Sequence, residues 1–352
     1  MTEPNHADAG FVTTPTPRGL DLRRLGAWFT AEIPGAGGEL RASMIAGGKS
    51  NLTYVVTDGS REWVVRRPPL GHVLATAHDM FREYTVMTAL RDTPVPVPAT
   101  YGLCGDDSVL GAPFYVMERV AGTPYRAVEE LAALGEQRTR AISERLVDTL
   151  AALHAVDPSA VGLSDFGRAE GYLTRQVARW KRQMDASRSR DLSAADELHA
   201  LLAADTPIES ATGIVHGDFR LDNLLIDEDD RPTAVLDWEM ATLGDPLADL
   251  ALMLVYHRLG ETSAGTTITN ASLAPGFLTE SEIIERYAER SDRDLTGFGF
   301  HLGLAAYKLA AILEGIHYRF LHGQTVGEGF DTIGDAIEPL LDAGLAALKE
   351  SH

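Results

Sequence analysis

The sequence predicts an α+β protein with two lobes, a small N-terminal lobe built on a β-sheet and a larger, helical C-terminal lobe. Its 352 residues correspond to about two domains at ~150 residues each. β-rich segments dominate before residue 120 and helical periodicity dominates after it, without the regular βαβ alternation of a doubly wound sheet. We therefore expect a disordered tail at 1–19, an N-terminal lobe at 20–119 and a C-terminal lobe at 120–352.

The N-terminal lobe is expected to contain one helix before its strands and one between them. Residues 20–30 have helical periodicity, and an amphipathic pattern over 73–91 ends at the proline-rich segment 94–98. A hairpin turn is expected at 58–60, where Asp-Gly-Ser separates two β-rich segments. The predicted strands are 42–45, 52–57, 62–66, 100–103 and 114–120.

The C-terminal lobe is expected to be mainly helical, with one β-rich segment at 214–238. Apolar residues recur there at intervals of three or four positions, the pattern of amphipathic helices. The predicted helices are 136–154, 172–185, 192–204, 246–259, 280–290 and 300–321.

Composition excludes several classes of partner and site. The 31 basic and 51 acidic residues give a net charge of −20, which disfavours binding to nucleic-acid phosphates and to anionic membranes. A single cysteine, Cys104, excludes an internal disulfide and a cysteine-built zinc site. No apolar run reaches the ~18 residues of a membrane span, and the first eighteen residues lack the pattern of a secretory signal. We expect a cytoplasmic protein; the sequence does not indicate an oligomeric state.

The β-rich segment of the C-terminal lobe carries the residues most suited to chemistry. Two apolar strands, 224–226 and 234–236, flank a polar loop, and antiparallel pairing of 224 with 236 would set Asn223 opposite Asp237. Cross-strand neighbours have Cβ atoms about 4.5–5.5 Å apart. Amide and carboxylate oxygens suit Mg²⁺, and Asp218 precedes them on the incoming loop. Isolated Asp and Asn are usually turn and capping residues, but the three in register favour a metal site.

The motif H-G-D-x-x-x-x-N at 216–223, followed by D-W at 237–238 and GDPLADLALM at 244–253, resembles the signature of the aminoglycoside phosphotransferase family. That family has a protein-kinase-like two-lobe fold. The resemblance runs from GGKSNLTY to YKLAAILEGIHYRFLHG and is greatest to the branch that larger relatives carry fused to an acyl-CoA dehydrogenase domain. It implies Mg²⁺-assisted phosphoryl transfer from ATP, or GTP, to a hydroxyl of a small molecule.

The resemblance assigns catalytic and metal-binding roles by position. Asp218 would accept the proton of the acceptor hydroxyl, and Asn223 and Asp237 would hold Mg²⁺. Arg220 would lie along the transferred phosphoryl group, although a solvated loop arginine is an equal alternative. Supporting rather than chemical roles are expected for His216, Asp245 and Asp249.

On the nucleotide side, Ser50 and Asn51 in a glycine-rich turn would cover the phosphates. Arg66 would replace the usual lysine that pairs with the α- and β-phosphates, with Glu83 as its partner. Because side chains alternate along a strand, Arg67 should point away from Arg66.

Adenine would be contacted by the backbone of a segment that contains Met117 and Glu118, although core packing explains its apolar residues equally well. Candidates for acceptor binding lie on two predicted helices, where aromatic stripes are more often core. They are Tyr172, Arg175, Gln176, Tyr307, Glu314 and Arg319.

The acceptor class stays open between a hydroxylated metabolite, such as a hydroxyacyl compound or a CoA thioester, and an aminoglycoside-like compound. The alternative to an enzyme is a nucleotide-binding pseudokinase that acts as a scaffold. A protein kinase is disfavoured, because no A-P-E element or long regulatory segment follows Asp237.

Overall fold

The computed structural model describes residues 17–45, 51–70, 79–207, 212–262, 264–325 and 329–350. Most of the predicted N-terminal tail and residues 73–78 of a predicted helix lie outside these ranges. The chain forms two compact units: Met1–Arg91 with Val97–Val120, and Asp92–Pro96 with Ala121–His352. The first contains a sheet and the second is mainly helical, which confirms the predicted α+β class.

The first unit is built on a five-stranded antiparallel sheet of order β1-β2-β3-β5-β4. Its strands are β1 (Arg41–Met44), β2 (Leu52–Thr57), β3 (Glu62–Arg67), β4 (Thr100–Cys104) and β5 (Phe114–Glu118). Its helices are α1 (Leu22–Glu32), α2 (Met80–Leu90) and the short α3 (Asp107–Leu110).

Side-chain alternation along β3 separates a core face from a polar face. Trp63 and Val65 are buried in one cluster with Phe29 of α1 and Phe114 of β5. The ring of Phe29 packs edge-on against Trp63, with centroids 5.4 Å apart. The opposite face of β3 therefore presents Arg66, as the alternation predicts.

The second unit has a helical core around a long buried helix, Phe298–Leu321, which packs against four other helices. Its helices are α4 (Val128–Ala132), α5 (Glu136–Ala155), α6 (Tyr172–Ser187), α7 (Ser193–Ala204), α8 (Leu247–Gly260), α9 (Gly265–Ile268), α10 (Glu280–Arg290), α11 (Phe298–Leu321) and α12 (Ile337–Glu350). The helices that pack on α11 are α6, α7, α8 and α12. Within the described ranges no helix is long and apolar enough to cross a membrane.

Two small antiparallel sheets are embedded among these helices. The sequence predicts the hairpin of β7 (Leu224–Ile226) and β8 (Pro232–Val235), but it gives no sign of the pairing between β6 (Gly213–Val215) and β9 (Thr242–Gly244). Those two strands enclose the hairpin in sequence and fix the entry and exit of the loops that carry the predicted site residues.

The predicted register of the hairpin is wrong by one residue. Leu224 pairs with Val235, and the Leu236 N–H donates to the Asn223 carbonyl at 2.8 Å, so Asn223 lies opposite Leu236 rather than Asp237. The loop is shorter than predicted, because the Asp227 N–H donates to the Arg231 carbonyl at 2.9 Å and β8 begins at Pro232 instead of 234. The register also shifts between Leu225 and Ile226, where Ile226 pairs with Pro232. Asp237 follows immediately in the left-handed conformation, at φ 65°.

Candidate functional site

The site is built on the loop that leaves β6, residues 216–223. Gly217 has φ +87°, and a Cβ atom there would lie 2.8 Å from the Met240 Cβ and 2.9 Å from the Met240 carbonyl oxygen. Both the positive φ and this close approach require glycine. The loop can therefore turn at Gly217 and present the next residue, Asp218.

Asp249 of α8 holds the loop by its backbone. Its carboxylate accepts hydrogen bonds from the His216 N–H at 2.6 Å and the Gly217 N–H at 2.8 Å. Burial alone raises the pKa of Asp249, but the contact with His154 and the backbone donor offset burial and leave the pKa below its ordinary value. Asp249 is thus a charged anchor.

His216 braces the loop through both ring nitrogens. Its Nε2–H donates to the Leu236 carbonyl at 2.9 Å, and its Nδ1 accepts from the Asp218 N–H at 3.2 Å. The ring packs on Trp238, with centroids 4.6 Å apart. These partners fix one neutral tautomer, so the ring supports the loop and has no nitrogen left for proton transfer.

The carboxylate of Asp218 is held from two sides. Oδ1 accepts a hydrogen bond from the Tyr256 hydroxyl of α8 at 2.9 Å, and Oδ2 accepts one from the Asn223 amide at 3.2 Å. The same amide nitrogen donates to the Asp218 carbonyl at 2.8 Å. Asp218 and Asn223, which the sequence predicts as site residues, are therefore neighbours.

Arg220 lies in a buried pocket of negative groups. Its Nε is 3.4 Å from Asp218 Oδ2, its Nη2 is 3.1 Å from Asp222 Oδ2, and its guanidinium group lies over the Tyr256 ring at 4.8 Å. Burial lowers the pKa of Arg220, but Tyr256, Asp218, Asp222 and Asp237 outweigh it and raise the pKa. The buried Nη1 donates no hydrogen bond within the described part of the chain, so this arginine can bind a further oxygen anion.

The arrangement fits a magnesium ion that arrives with phosphates. The Asn223 amide nitrogen donates to Asp218, so the Asn223 Oδ1 points away from Asp218 and is the atom that could coordinate a metal ion. Asp237 acts on the charge of Arg220 and so belongs to the same neighbourhood. In the described ranges no three His, Cys, Asp or Glu residues gather as a metal cage, and one amide and one carboxylate suit Mg²⁺ with phosphate and water ligands.

In the first unit, Glu83 gathers the predicted nucleotide-side residues. The predicted ion pair with Arg66 is present, with Arg66 Nε 3.1 Å from Glu83 Oε2. Asn51 donates to Glu83 Oε1 at 3.0 Å and the Tyr115 hydroxyl to Oε2 at 2.9 Å. Glu83 is 1% exposed, so its charge is compensated by these donors. Ser50 lies outside the described residues.

The remaining predicted nucleotide-side residues lie in the sheet. Met117 is buried on β5 opposite Val64. Glu118 is exposed, its N–H donates to the Ala99 carbonyl at 2.7 Å, and its carboxylate accepts the Ala99 N–H at 3.1 Å. Arg67 points away from Arg66, as expected, and donates to the carbonyls of the chain around it.

The structure does not bring the six predicted acceptor residues together. Tyr172 and Gln176 line one small cavity beside Gly217. Glu314 is fully buried and accepts hydrogen bonds from the Ser189 N–H and hydroxyl at 2.6 and 2.7 Å, so it stabilises a connection between helices.

Tyr307 is also fully buried, and Arg175 donates to the carbonyls of Arg168 and Glu170, in the segment just before its own helix. Arg319 is exposed near the end of α11. Tyr307 is therefore a core residue, and Arg175 stabilises the segment that leads into α6.

Comparison with known proteins shows which family the chain belongs to. The model of the phosphotransferase enzyme family matches residues 41–290, a range that includes the loop, the hairpin, the Arg66–Glu83 pair and Asp249. The chain belongs to this family. It is therefore a small-molecule phosphotransferase, and the resemblance in the motif H-G-D-x-x-x-x-N is confirmed.

Known relatives agree with the two-lobe fold. A solved structure from Ralstonia eutropha JMP134, provisionally described as an aminoglycoside phosphotransferase, is 33% identical with a TM-score of 0.81, covering 94% of this chain and 98% of that one. An aminoglycoside phosphotransferase in complex with AMP-PNP and hygromycin B shares the fold at 18% identity and a TM-score of 0.58, covering 92% and 98% of the two chains.

A curated relative, rat acyl-CoA dehydrogenase family member 11, is 34% identical over 93% of the phosphotransferase chain. The chain spans 43% of that relative's length.

Two residues of the candidate site, Tyr256 and Lys308, were not singled out from the sequence as site residues. Tyr256 lies two helical turns after Asp249, on the same face of α8, and that spacing is the signal that could have found it. Lys308 interrupts an apolar helix, and its Nζ donates to the Gly217 carbonyl at 2.6 Å. Trp180 lies within 5.5 Å of that ammonium group and within 5.0 Å of the Arg179 guanidinium.

The buried His154 ring beside Asp249 predicts that the stability of the protein depends on pH. His154 is fully buried between Asp249, at 3.5 Å, and the Tyr287 hydroxyl, at 2.7 Å, and burial lowers its pKa from 6.5 despite Asp249. Below pH 6.5 the unfolded chain therefore binds a proton that the native ring does not. The free energy of unfolding should fall by up to about 1.4 kcal/mol per pH unit from this ring.

His154→Gln should flatten this decline, as measured by urea unfolding between pH 7.5 and 5.5. The matched control is His322→Gln, which replaces an exposed ring and should keep the wild-type slope. Equal slopes for the wild type and His154→Gln would contradict this description of the anchor.

Proposed function

We propose that this phosphotransferase transfers the γ-phosphoryl group of ATP, or GTP, to a hydroxyl group of a small anionic metabolite. The observation that carries the proposal is the Asp218 carboxylate, held by Tyr256 and Asn223 on a loop anchored by Asp249. A fixed carboxylate beside a buried arginine is what phosphoryl transfer requires, because its catalysis is largely positioning and charge neutralisation.

The reaction follows from the positions of these groups. Asp218 accepts the proton of the acceptor hydroxyl as the oxygen attacks the γ-phosphorus, and the bond to the leaving nucleoside diphosphate breaks. Arg220 neutralises charge on the transferred group, which its buried Nη1 is available to bind. Bound Mg²⁺, held by Asn223 and Asp237, would supply charge neutralisation of the phosphates.

In this proposal, residues of the first unit bind the phosphates of the nucleotide. Arg66 is held by buried Glu83 with its permanent charge, and arginine binds phosphate oxygens in a bidentate manner. Asn51 belongs to the same hydrogen-bonded group and follows directly on the glycine-rich turn. The complex of a fold relative with AMP-PNP supports an adenine nucleotide.

The acceptor class is argued from two cations near the loop. Lys308 and Arg179 both lie over Trp180, and neither has a carboxylate partner among the residues that the structure describes. Burial lowers the pKa of Lys308, the Asp218 and Asp249 carboxylates oppose this effect, and Arg179 lies close enough to lower the pKa further. The charge of Lys308 is balanced by these carboxylates, which leaves the exposed guanidinium of Arg179 to attract an anionic acceptor and to repel a polycation such as an aminoglycoside.

The curated relative supports the same class. Its name refers to an acyl-CoA dehydrogenase, which suggests a hydroxylated acyl group, free or as a CoA thioester, as the acceptor. Both forms carry negative charge. We therefore favour a hydroxyacyl compound over an aminoglycoside.

Replacement of the proton acceptor tests the proposed reaction. Asp218→Asn should lower the rate of phosphoryl transfer by about 10²–10⁴-fold, because an amide cannot accept the hydroxyl proton. The measurement is the ATP- or GTP-dependent mass gain of one phosphoryl group in a metabolite extract, with nucleotide affinity followed by calorimetry. Affinity should stay within a few-fold of wild type.

The matched control is Asp229→Asn, the same chemical change on the exposed turn of the hairpin, which should retain wild-type turnover. Tight nucleotide binding by the wild type with no turnover across the extract would favour the pseudokinase scaffold instead.

The proposed acceptor class is tested by removing one positive charge from α6. Arg179→Gln should raise the KM for a hydroxylated carboxylic acid or its CoA thioester roughly threefold to tenfold, because one exposed cation is lost. Arg182→Gln, an exposed arginine on the same helix, is the control and should have little effect. Faster turnover of hygromycin B than of any anionic alcohol would contradict the proposed class.

A further inference from the structure

The helix α8 contacts the catalytic loop at two separate points. Asp249 accepts the backbone N–H groups of His216 and Gly217, and Tyr256, two turns later, donates its hydroxyl to Asp218 Oδ1 at 2.9 Å. The first contact fixes the path of the chain. The second contact is to the carboxylate that we propose accepts the proton.

We propose that Tyr256 is a positioning residue for the proton acceptor, one that locks the Asp218 carboxylate in a single orientation and leaves Oδ2 to receive the acceptor hydroxyl. This inference rests on the proposed function. It goes beyond it by naming the side chain that fixes the direction of proton transfer.

The distances distinguish the two carboxylate oxygens. Oδ1 has the short contact with the Tyr256 hydroxyl, whereas Oδ2 has longer contacts, 3.2 Å to the Asn223 amide and 3.4 Å to Arg220 Nε. A hydroxyl donor at 2.9 Å restrains a carboxylate more strongly than these. An incoming hydroxyl can therefore replace the weaker partners of Oδ2 while Tyr256 keeps the group from rotating.

The charge of the donor matters as much as its distance. Burial raises the pKa of Tyr256 well above 10, and the neighbouring Asp218 raises it further, so the phenol stays neutral and protonated. A neutral donor holds the carboxylate without neutralising it. The cations nearby leave Oδ1 to Tyr256, because Arg220 contacts Oδ2 at 3.4 Å and also pairs with Asp222, and Lys308 donates to the Gly217 carbonyl.

The Tyr256 ring also contacts Arg220, and this contact must be distinguished from the hydrogen bond to Asp218. The Arg220 guanidinium lies 4.8 Å from the ring centroid, so the ring also supports the cation proposed to bind the transferred phosphoryl group. Tyr256→Phe keeps this ring and removes the hydroxyl alone. Tyr256→Leu removes both, which makes the pair of variants informative.

The test compares these variants in the full chain, with MgATP as donor and either water or the metabolite extract as acceptor. Tyr256→Phe should lower kcat about tenfold to hundredfold with KM and Kd for ATP unchanged, because a hydrogen bond to a charged group is lost without any change at the nucleotide. Tyr256→Leu should lower kcat and also raise the KM for ATP. Tyr125→Phe, which removes a mostly buried phenol hydroxyl elsewhere in the second unit, is the control and should retain the wild-type kcat.

A spectroscopic measurement checks the hydrogen bond without turnover. In protein labelled at tyrosine, one downfield phenol O–H resonance, besides that of Tyr115 on Glu83, should be present in the wild type and in Tyr125→Phe, lost in Tyr256→Phe and shifted in Asp218→Asn. An equal kcat in Tyr256→Phe and wild type, or no such resonance in the wild type, would overturn the positioning role while leaving the proposed function intact. A wild type that transfers no phosphoryl group to any acceptor would overturn the proposed function itself, and the positioning role with it.

Discussion

The geometry of the site depends on one buried carboxylate. Asp249 receives two successive backbone N–H groups, of His216 and Gly217, at 2.6 and 2.8 Å. Leaving such groups buried and unpaired costs about 1–3 kcal/mol each, so the loop is strongly held in this path. The positive φ of Gly217 and its contact with Met240 make the path specific to this sequence. Asp218 is presented by a turn that is fixed before any ligand binds, and preorganisation of this kind is the main contribution of a protein to phosphoryl transfer.

One residue, Leu236, joins that loop to the hairpin that carries the proposed metal ligands. Its carbonyl accepts the Nε2–H of His216 at 2.9 Å, and its N–H donates to the Asn223 carbonyl at 2.8 Å. The next residue, Asp237, is thereby tied to both the loop and the opposite strand. The proposed proton acceptor and the two proposed Mg²⁺ ligands are therefore linked through the backbone of Leu236, with the buried His216 ring as the one side chain in the connection.

Features set by local sequence could be predicted, and features set by packing could not. The α+β class and the hairpin follow from periodicity and turn residues, and the Arg66–Glu83 pair follows from the resemblance to the phosphotransferase family. The register was wrong because the apolar pattern starts the second strand at 234, whereas a hydrogen bond from the Asp227 N–H to the Arg231 carbonyl closes a shorter loop and β8 begins at Pro232. Glu314 is polar on an apolar helix, the same pattern that a binding residue would show, and its bond to Ser189 is visible only in three dimensions.

A direct test of the anchor is amide hydrogen exchange in Asp249→Asn, measured alongside phosphoryl transfer. An asparagine keeps the volume but has one acceptor oxygen for two N–H donors. The account predicts faster exchange at the amides of residues 216 and 217, a large loss of turnover and a nucleotide affinity close to that of the wild type. Asp245→Asn is the control, because that buried carboxylate contacts His301 at 3.0 Å instead of the loop. Wild-type turnover in an Asp249→Asn protein whose loop amides exchange freely would contradict the account.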